Sequence, residues 1–157
     1  MIQRIQSVFL AGIAIALAIA PFFSIWSESA NADGSHAILT QFNLSFTGTA
    51  EDRSMTTFYL FLLNLCGIGL AVFSLLSYTQ RPRQMMINMV NTLVLIALLG
   101  TSSYIIYATG EPSINPNELG DLHLGFFLPA IALVLNSLAN RFIHRDEKLV
   151  KSVDRLR

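Results

Sequence analysis

Four long apolar segments limit the folds that this sequence can adopt. They are residues 5–26, 57–78, 85–107 and 122–142. Each reaches the ~20 residues that a helix needs to cross the ~30 Å hydrocarbon layer of a bilayer. A helix satisfies its own backbone hydrogen bonds in lipid, whereas an open strand does not. The sequence therefore predicts a single all-α membrane domain, an antiparallel bundle of four transmembrane helices.

Composition and cysteine content agree with this class. Charged residues make up 13% of the chain, against about 25% in an ordinary soluble domain. The one cysteine, Cys66, excludes a disulfide within the chain. Because it lies inside an apolar segment, we expect a small buried side chain there.

The basic residues predict an orientation. All of the ten Lys and Arg residues except Arg53 fall at the N-terminus, in the second connection, or at and after the end of the fourth segment. The positive-inside rule then places both termini in the cytoplasm. An alternative comes from "ANA" at residues 30–32, which is similar to a signal-peptide cleavage site. Cleavage there would leave three spans.

The first outer connection, residues 27–56, contains a strand-like pattern. From His36 to Phe46, one face is apolar and the other, Leu39 aside, is polar, and "NADG" before them is a turn signal. We expect a small exoplasmic β-hairpin, with the end of the first span or "SIWSES" as the partner strand. Its apolar face is either a cap on the bundle or a contact surface for a partner protein. The residues of that face are Ile38, Phe42, Leu44 and Phe46.

The cytoplasmic tail, residues 143–157, is rich in charge and has apolar residues at helical spacing, namely Leu149, Val153 and Leu156. Such a helix lies on anionic lipid, docks on a protein partner, or extends the fourth span into solvent. A membrane surface explains its basic residues better than nucleic acid does.

Polar residues inside the spans form the second candidate region. Asn88 and Asn91 of the third segment, Asn136 and Asn140 of the fourth, and Ser74 of the second lie at similar predicted depth. Amides in spans hydrogen-bond between helices, at ~0.6 to 2 kcal/mol each. They are either structural or the lining of a polar intramembrane cavity. The spans carry no acidic residue or Lys at mid-depth, which argues against an ion-coupled transporter.

A weaker candidate lies at the outer face, where Asp121 and His123 flank the fourth segment. We expect no catalytic set, no metal site and no cofactor, because the sequence has no metal-ligand spacing and no phosphate-binding Gly loop. His123 and His144 fall at opposite ends of the fourth segment, too far apart to share a haem.

The two ends of the chain carry a resemblance. "MIQRIQSVFL" and "RDEKLVKSVDRLR" resemble the termini of an uncharacterised family, a domain of unknown function, of small four-span inner-membrane proteins from Bacteroidota. The resemblance implies a bacterial inner membrane and four helices, and it implies no activity. In shape alone, the predicted outer loop is similar to that of claudin-like proteins.

These observations favour a non-enzymatic membrane subunit or assembly factor that contacts partners through the hairpin and the tail. The alternative is a binder or carrier of a lipid or quinone, held by the polar cluster. An enzyme that acts on lipids through Asp121 and His123 is the third hypothesis.

Overall fold

Four α-helices form the body of the part of the chain that the structure describes. The computed structural model describes residues 2–29, 35–48, 53–78, 80–110 and 120–154. The helices are α1 (Ile2–Ile19), α2 (Phe58–Leu76), α3 (Arg81–Ile105) and α4 (Leu124–Asp154). A 3-10 turn follows α1 at Ala20–Phe22, and a π-helical turn follows α3 at Ile106–Gly110. α1 and α3 each pack against both α2 and α4.

Prolines set two helix boundaries differently from the prediction. The first predicted span runs to residue 26, but α1 ends at Ile19 and Pro21 lies in the 3-10 turn. Pro82 was expected in a loop, yet it occupies the first turn of α3, where its missing N–H is not needed. α4 continues through Pro129 and into the predicted tail, as one helix of 31 residues.

The helices bury residues at alternating intervals of three and four, the period of left-handed helix bundles. We call these buried positions the seam. The seam of α1 is Gln6, Leu10, Ile13 and Leu17, and Ala20 of the 3-10 turn continues it. The seam of α2 is Leu60, Asn64, Gly67, Ala71 and Ser74. The seam of α3 is Gln84, Asn88, Asn91, Leu95, Leu98, Ser102 and Ile105, and that of α4 is Gly125, Pro129, Ala132, Asn136, Ala139, Ile143 and Asp146.

The outside of the bundle is apolar. Large hydrophobic side chains such as Val8, Leu62, Leu93 and Val134 are more than half exposed. Three helical segments have the length and hydropathy of membrane spans, Phe58–Leu76, Pro82–Thr109 and Leu124–Asp146. The apolar helical segment Gln6–Phe22 is shorter. An apolar exterior around a partly polar interior indicates a membrane protein.

A five-stranded antiparallel sheet lies at one end of the bundle, which corrects the prediction of an all-α fold with one hairpin. Its order is β4-β3-β2-β1-β5. The strands are β1 (Trp26–Ser29), β2 (His36–Leu39), β3 (Asn43–Thr47), β4 (Arg53–Thr56) and β5 (Asp121–Leu122). The predicted partner segment "SIWSES" contains β1, which pairs with β2 from Trp26↔Leu39 to Ser29↔His36. The sheet therefore joins the first and third connections of the chain.

The stretch from His36 to Phe46, which was expected to form one strand, forms the two strands β2 and β3. The first of these strands ends before Thr40. The Thr40 hydroxyl accepts a hydrogen bond from the backbone N–H of Asn43 at 3.1 Å and donates one to Oδ1 of Asn43 at 2.8 Å. Such local side-chain bonds compete with strand pairing. A turn therefore separates β2 from β3, and they pair with each other.

The inward face of the sheet packs on the start of α2 and the end of α3. Leu44 and Phe46 are buried there, so these two residues of the predicted contact face are not accessible. Ile38 is half-buried and Phe42 is exposed. Trp26, expected at the membrane interface, is also buried in this core.

Candidate functional site

The polar residues predicted inside the spans come together in the seam. The Ser74 hydroxyl donates to Oδ1 of Asn88 at 2.6 Å. Nδ2 of Asn136 donates to the backbone oxygen of Asn88 and to the Thr92 hydroxyl, both at 2.8 Å. Because Ser74, Asn88 and Asn136 lie on α2, α3 and α4, these bonds join three helices.

Part of this cluster has unused hydrogen-bonding capacity. Asn91 is fully buried, and neither its Nδ2 nor its Oδ1 has a hydrogen-bond partner among the described residues. The same holds for Nδ2 of Asn88, Oδ1 of Asn136 and Oδ1 of the half-buried Asn140. Unpaired amide groups are costly to bury. The arrangement can hydrogen-bond a neutral polar group, and it offers no charge to an ion.

Asn91 lies opposite Gly67 of α2. A Cβ atom added to Gly67 would be 3.6 Å from Oδ1 of Asn91 and 3.1 Å from Leu17. The helices are therefore close at this depth, so any group that reaches Asn91 must be small.

Sequence reasoning missed Asn64 and Thr92. Nδ2 of the fully buried Asn64 donates to the backbone oxygen of Leu17 at 2.9 Å, which links α2 to α1. The three-and-four spacing of Asn64, Gly67, Ala71 and Ser74 is the signal that could have identified it. For Thr92 we find no comparable signal.

The predicted residues Asp121 and His123 lie at the end of the bundle that carries the sheet. Asp121 is exposed in β5, and His123 is half-buried before α4. Nε2 of His123 and the Ser27 hydroxyl lie 2.7 Å apart. The Ser27–His123 contact joins β1 to the residue that precedes α4. The described residues also contain no group of three or more His, Cys, Asp or Glu that could hold a metal ion.

A comparison with protein families identifies the group to which the chain belongs. The family described as "Domain of unknown function (DUF4293)" matches residues 2–156. The chain belongs to this family. Membership in DUF4293 confirms the resemblance of the termini to a domain of unknown function, over nearly the whole length. The family's description names no activity, so it assigns no role to the residues above. No curated protein matches the chain.

Proposed function

We propose that this protein crosses a bacterial inner membrane four times, with both termini in the cytoplasm, as in the Bacteroidota proteins that its termini resemble. The apolar exterior of the bundle supports insertion. The short α1 packs beside α2 and α4, and its exposed Val8 and Ile15 continue their apolar surface. The excess of Lys and Arg at one end supports the orientation.

Within that membrane, we infer that the protein acts as a non-enzymatic subunit or assembly factor. The observation that carries this proposal is the extension of ordered structure beyond the apolar bundle at both ends. The sheet lies at the outer end of the bundle. At the other, α4 has a length of about 46 Å at ~1.5 Å per residue, against a hydrocarbon layer of ~30 Å. About ten of its residues therefore project past the bilayer, where they are accessible to a protein partner.

The edge strand of the sheet favours a partner at the outer end. All four residues of β4 are exposed, and β4 pairs only with β3 among the described strands. A strand with one free edge offers backbone N–H and C=O groups to an extended segment of another chain.

Photo-crosslinking in cells tests this function. A photoreactive residue at Ser54 of β4 or at the exposed Arg145 of α4 should form adducts with another protein. The matched control is Leu93, which is 66% exposed on the bundle exterior and should label only lipid. Lipid adducts alone at Ser54 and Arg145, together with a monomeric native mass after gentle extraction, would contradict the proposal.

A second candidate is the binding of a lipid or quinone through the polar cluster, and the unpaired amide of Asn91 favours it. If this amide holds a ligand, Asn91→Leu should remove a small molecule that copurifies with the wild-type protein. Native mass spectrometry of the two proteins makes the comparison. Identical bound species in both would exclude this candidate.

A further inference from the structure

A cavity lies where the sheet meets the outer ends of α2 and α3, away from the polar cluster. Its volume is about 290 Å³. Its walls come from β3, β4, the start of α2 and the end of α3 with its π-helical turn. The lining residues are Leu44, Met55, Thr56, Thr57, Tyr59, Thr101, Tyr104, Ile105 and Thr109.

The chemistry of this lining is amphipathic and uncharged. Leu44 and Ile105 are buried and supply an apolar floor. Hydroxyl groups surround it, and that of Thr57 already donates to the backbone oxygen of Thr40 at 3.1 Å. The hydroxyls of Tyr59 and Tyr104 make no hydrogen bond to the residues that the structure describes. None of the nine lining residues that the structure describes is charged. The cavity therefore suits a hydrocarbon group next to an uncharged hydrogen-bonding group.

Two tyrosines connect the cavity with the outside of the bundle. Tyr104 is 71% exposed and Tyr59 is 45% exposed, and both lie near the sheet end of their helices. Tyrosine is typical of the level where hydrocarbon meets lipid headgroups. A molecule in the outer leaflet would thus meet the apolar floor with its chain and the hydroxyls with its polar end.

The volume limits the ligand. Sites for small molecules usually measure about 300 to 1,000 Å³, so this one is at the lower limit. It has room for the polar end and the first part of one chain, and it has no room for a complete two-chain lipid.

We propose that this cavity binds a neutral, single-chain amphiphile with a hydroxyl or carbonyl head, such as a monoacylglycerol or a long-chain alcohol. The inference rests on the membrane placement given under Proposed function. It does not depend on the subunit role or on the polar cluster.

The test uses the full chain in phosphatidylcholine nanodiscs and two photoreactive probes. One probe is a monoacylglycerol with a diazirine in its chain, and the other is a lysophosphatidylglycerol with the same chain. Labelled peptides are mapped by mass spectrometry. We expect the monoacylglycerol to label residues 55–59 and 101–109 in preference to the rest of the exterior, and the anionic probe to show no such preference.

Two variants test the two parts of the site, the cavity volume and the exposed tyrosine hydroxyls. Thr101→Trp fills the cavity and should reduce labelling there to the level of the exterior. Leu93→Trp, on the lipid-facing side of the same helix, is its control and should leave the labelling unchanged. The double variant Tyr59→Phe, Tyr104→Phe removes exposed hydroxyls only. It should lower monoacylglycerol labelling about fivefold or more, as expected for the loss of one or two hydrogen bonds.

The outcomes separate the possibilities. Equal labelling by both probes, or labelling that persists in Thr101→Trp and in the double Phe variant, overturns the inference and shows bulk lipid contact only. If Thr101→Trp does not fold, the double Phe variant decides alone, because it changes only the outer hydroxyls. Failure of the membrane proposal can be distinguished from failure of this inference, because neither probe would then label the apolar exterior around Leu93.

Discussion

The Ser27 hydroxyl lies 2.7 Å from Nε2 of His123 and links segments that are 96 residues apart. Backbone bonds surround this contact, from the His123 N–H to the oxygen of Ile25 at 2.9 Å and from the Gly125 N–H to the oxygen of Ser24 at 3.0 Å. The first strand and the start of α4 are therefore held together by both main chain and side chains.

The contact between Ser27 and His123 predicts energetic coupling between their side chains. In a double-mutant cycle with Ser27→Ala and His123→Ala, we expect a coupling energy of about 0.5–1.5 kcal/mol, the usual contribution of one hydrogen bond. Thermal unfolding in detergent measures it. Additive effects of the two substitutions would show that the contact contributes nothing to stability.

Gly125 tests how closely the same segments approach. A Cβ atom at Gly125 would lie 2.5 Å from the backbone oxygen of Ser24, which cannot rotate away. We expect Gly125→Ala to destabilise the protein by about 1–3 kcal/mol or more, because the backbones must separate. In the control Gly100→Ala, the added methyl group meets no atom within 4 Å. That change should be neutral or stabilise α3 by up to about 1 kcal/mol. Equal melting temperatures for the two variants would contradict this packing.

The polar cluster predicts opposite effects of the same substitution at two positions. Asn91→Leu removes an amide without described hydrogen bonds, so we expect a gain of about 1 kcal/mol in the free energy of unfolding. Asn136→Leu removes two hydrogen bonds of 2.8 Å, and it should cost about 1–2 kcal/mol. Unfolding in detergent by heat or denaturant compares them. A loss of stability in Asn91→Leu equal to that in Asn136→Leu would show that Asn91 is bonded as well.

Cys66 reports on the exterior of the bundle. It was expected to be buried, but it is exposed near the middle of α2. In a membrane this thiol faces hydrocarbon, so we expect a charged maleimide to label it only after denaturation. Ser54→Cys, on the exposed strand β4, provides the reactive control. Rapid labelling of native Cys66 in sealed vesicles would argue against insertion.

Accessible cysteines also test the orientation. In a Cys66→Ala background, Ser54→Cys should react with an impermeant reagent added to intact cells, once that reagent has passed the outer membrane. Gln80→Cys, in the exposed turn between α2 and α3, should react only after the inner membrane is opened. The reverse pattern would invert the proposed topology.

The length of the apolar segments was sufficient to predict the helices, because each helix follows from a local run of side chains. It could not predict where α1 ends or where α3 begins, because a proline is accepted in a first turn and in a 3-10 turn. The alternation in residues 36–46 indicated strands. The competing hydrogen bonds of Thr40 divided them, and the two-residue strand β5 was too short to leave a pattern.

For the polar cluster, too, the sequence predicted one part and left another to the tertiary structure. Depth along the spans brought Ser74, Asn88, Asn91 and Asn136 to one level. Which of their atoms are bonded depends on how α2, α3 and α4 face one another, as does the burial of Asn64. Ser27 and His123 are 96 residues apart and have no common motif.

The sequence by itself determined the chemistry of each surface: apolar helices with a polar stripe, and basic residues gathered at one end. These properties belong to single segments and repeat with the helical period. Only the tertiary structure decided which stripes meet, which amides remain unpaired and how one short strand from the third connection completes a sheet begun in the first. Those outcomes depend on contacts between distant segments, whose energies no local pattern encodes.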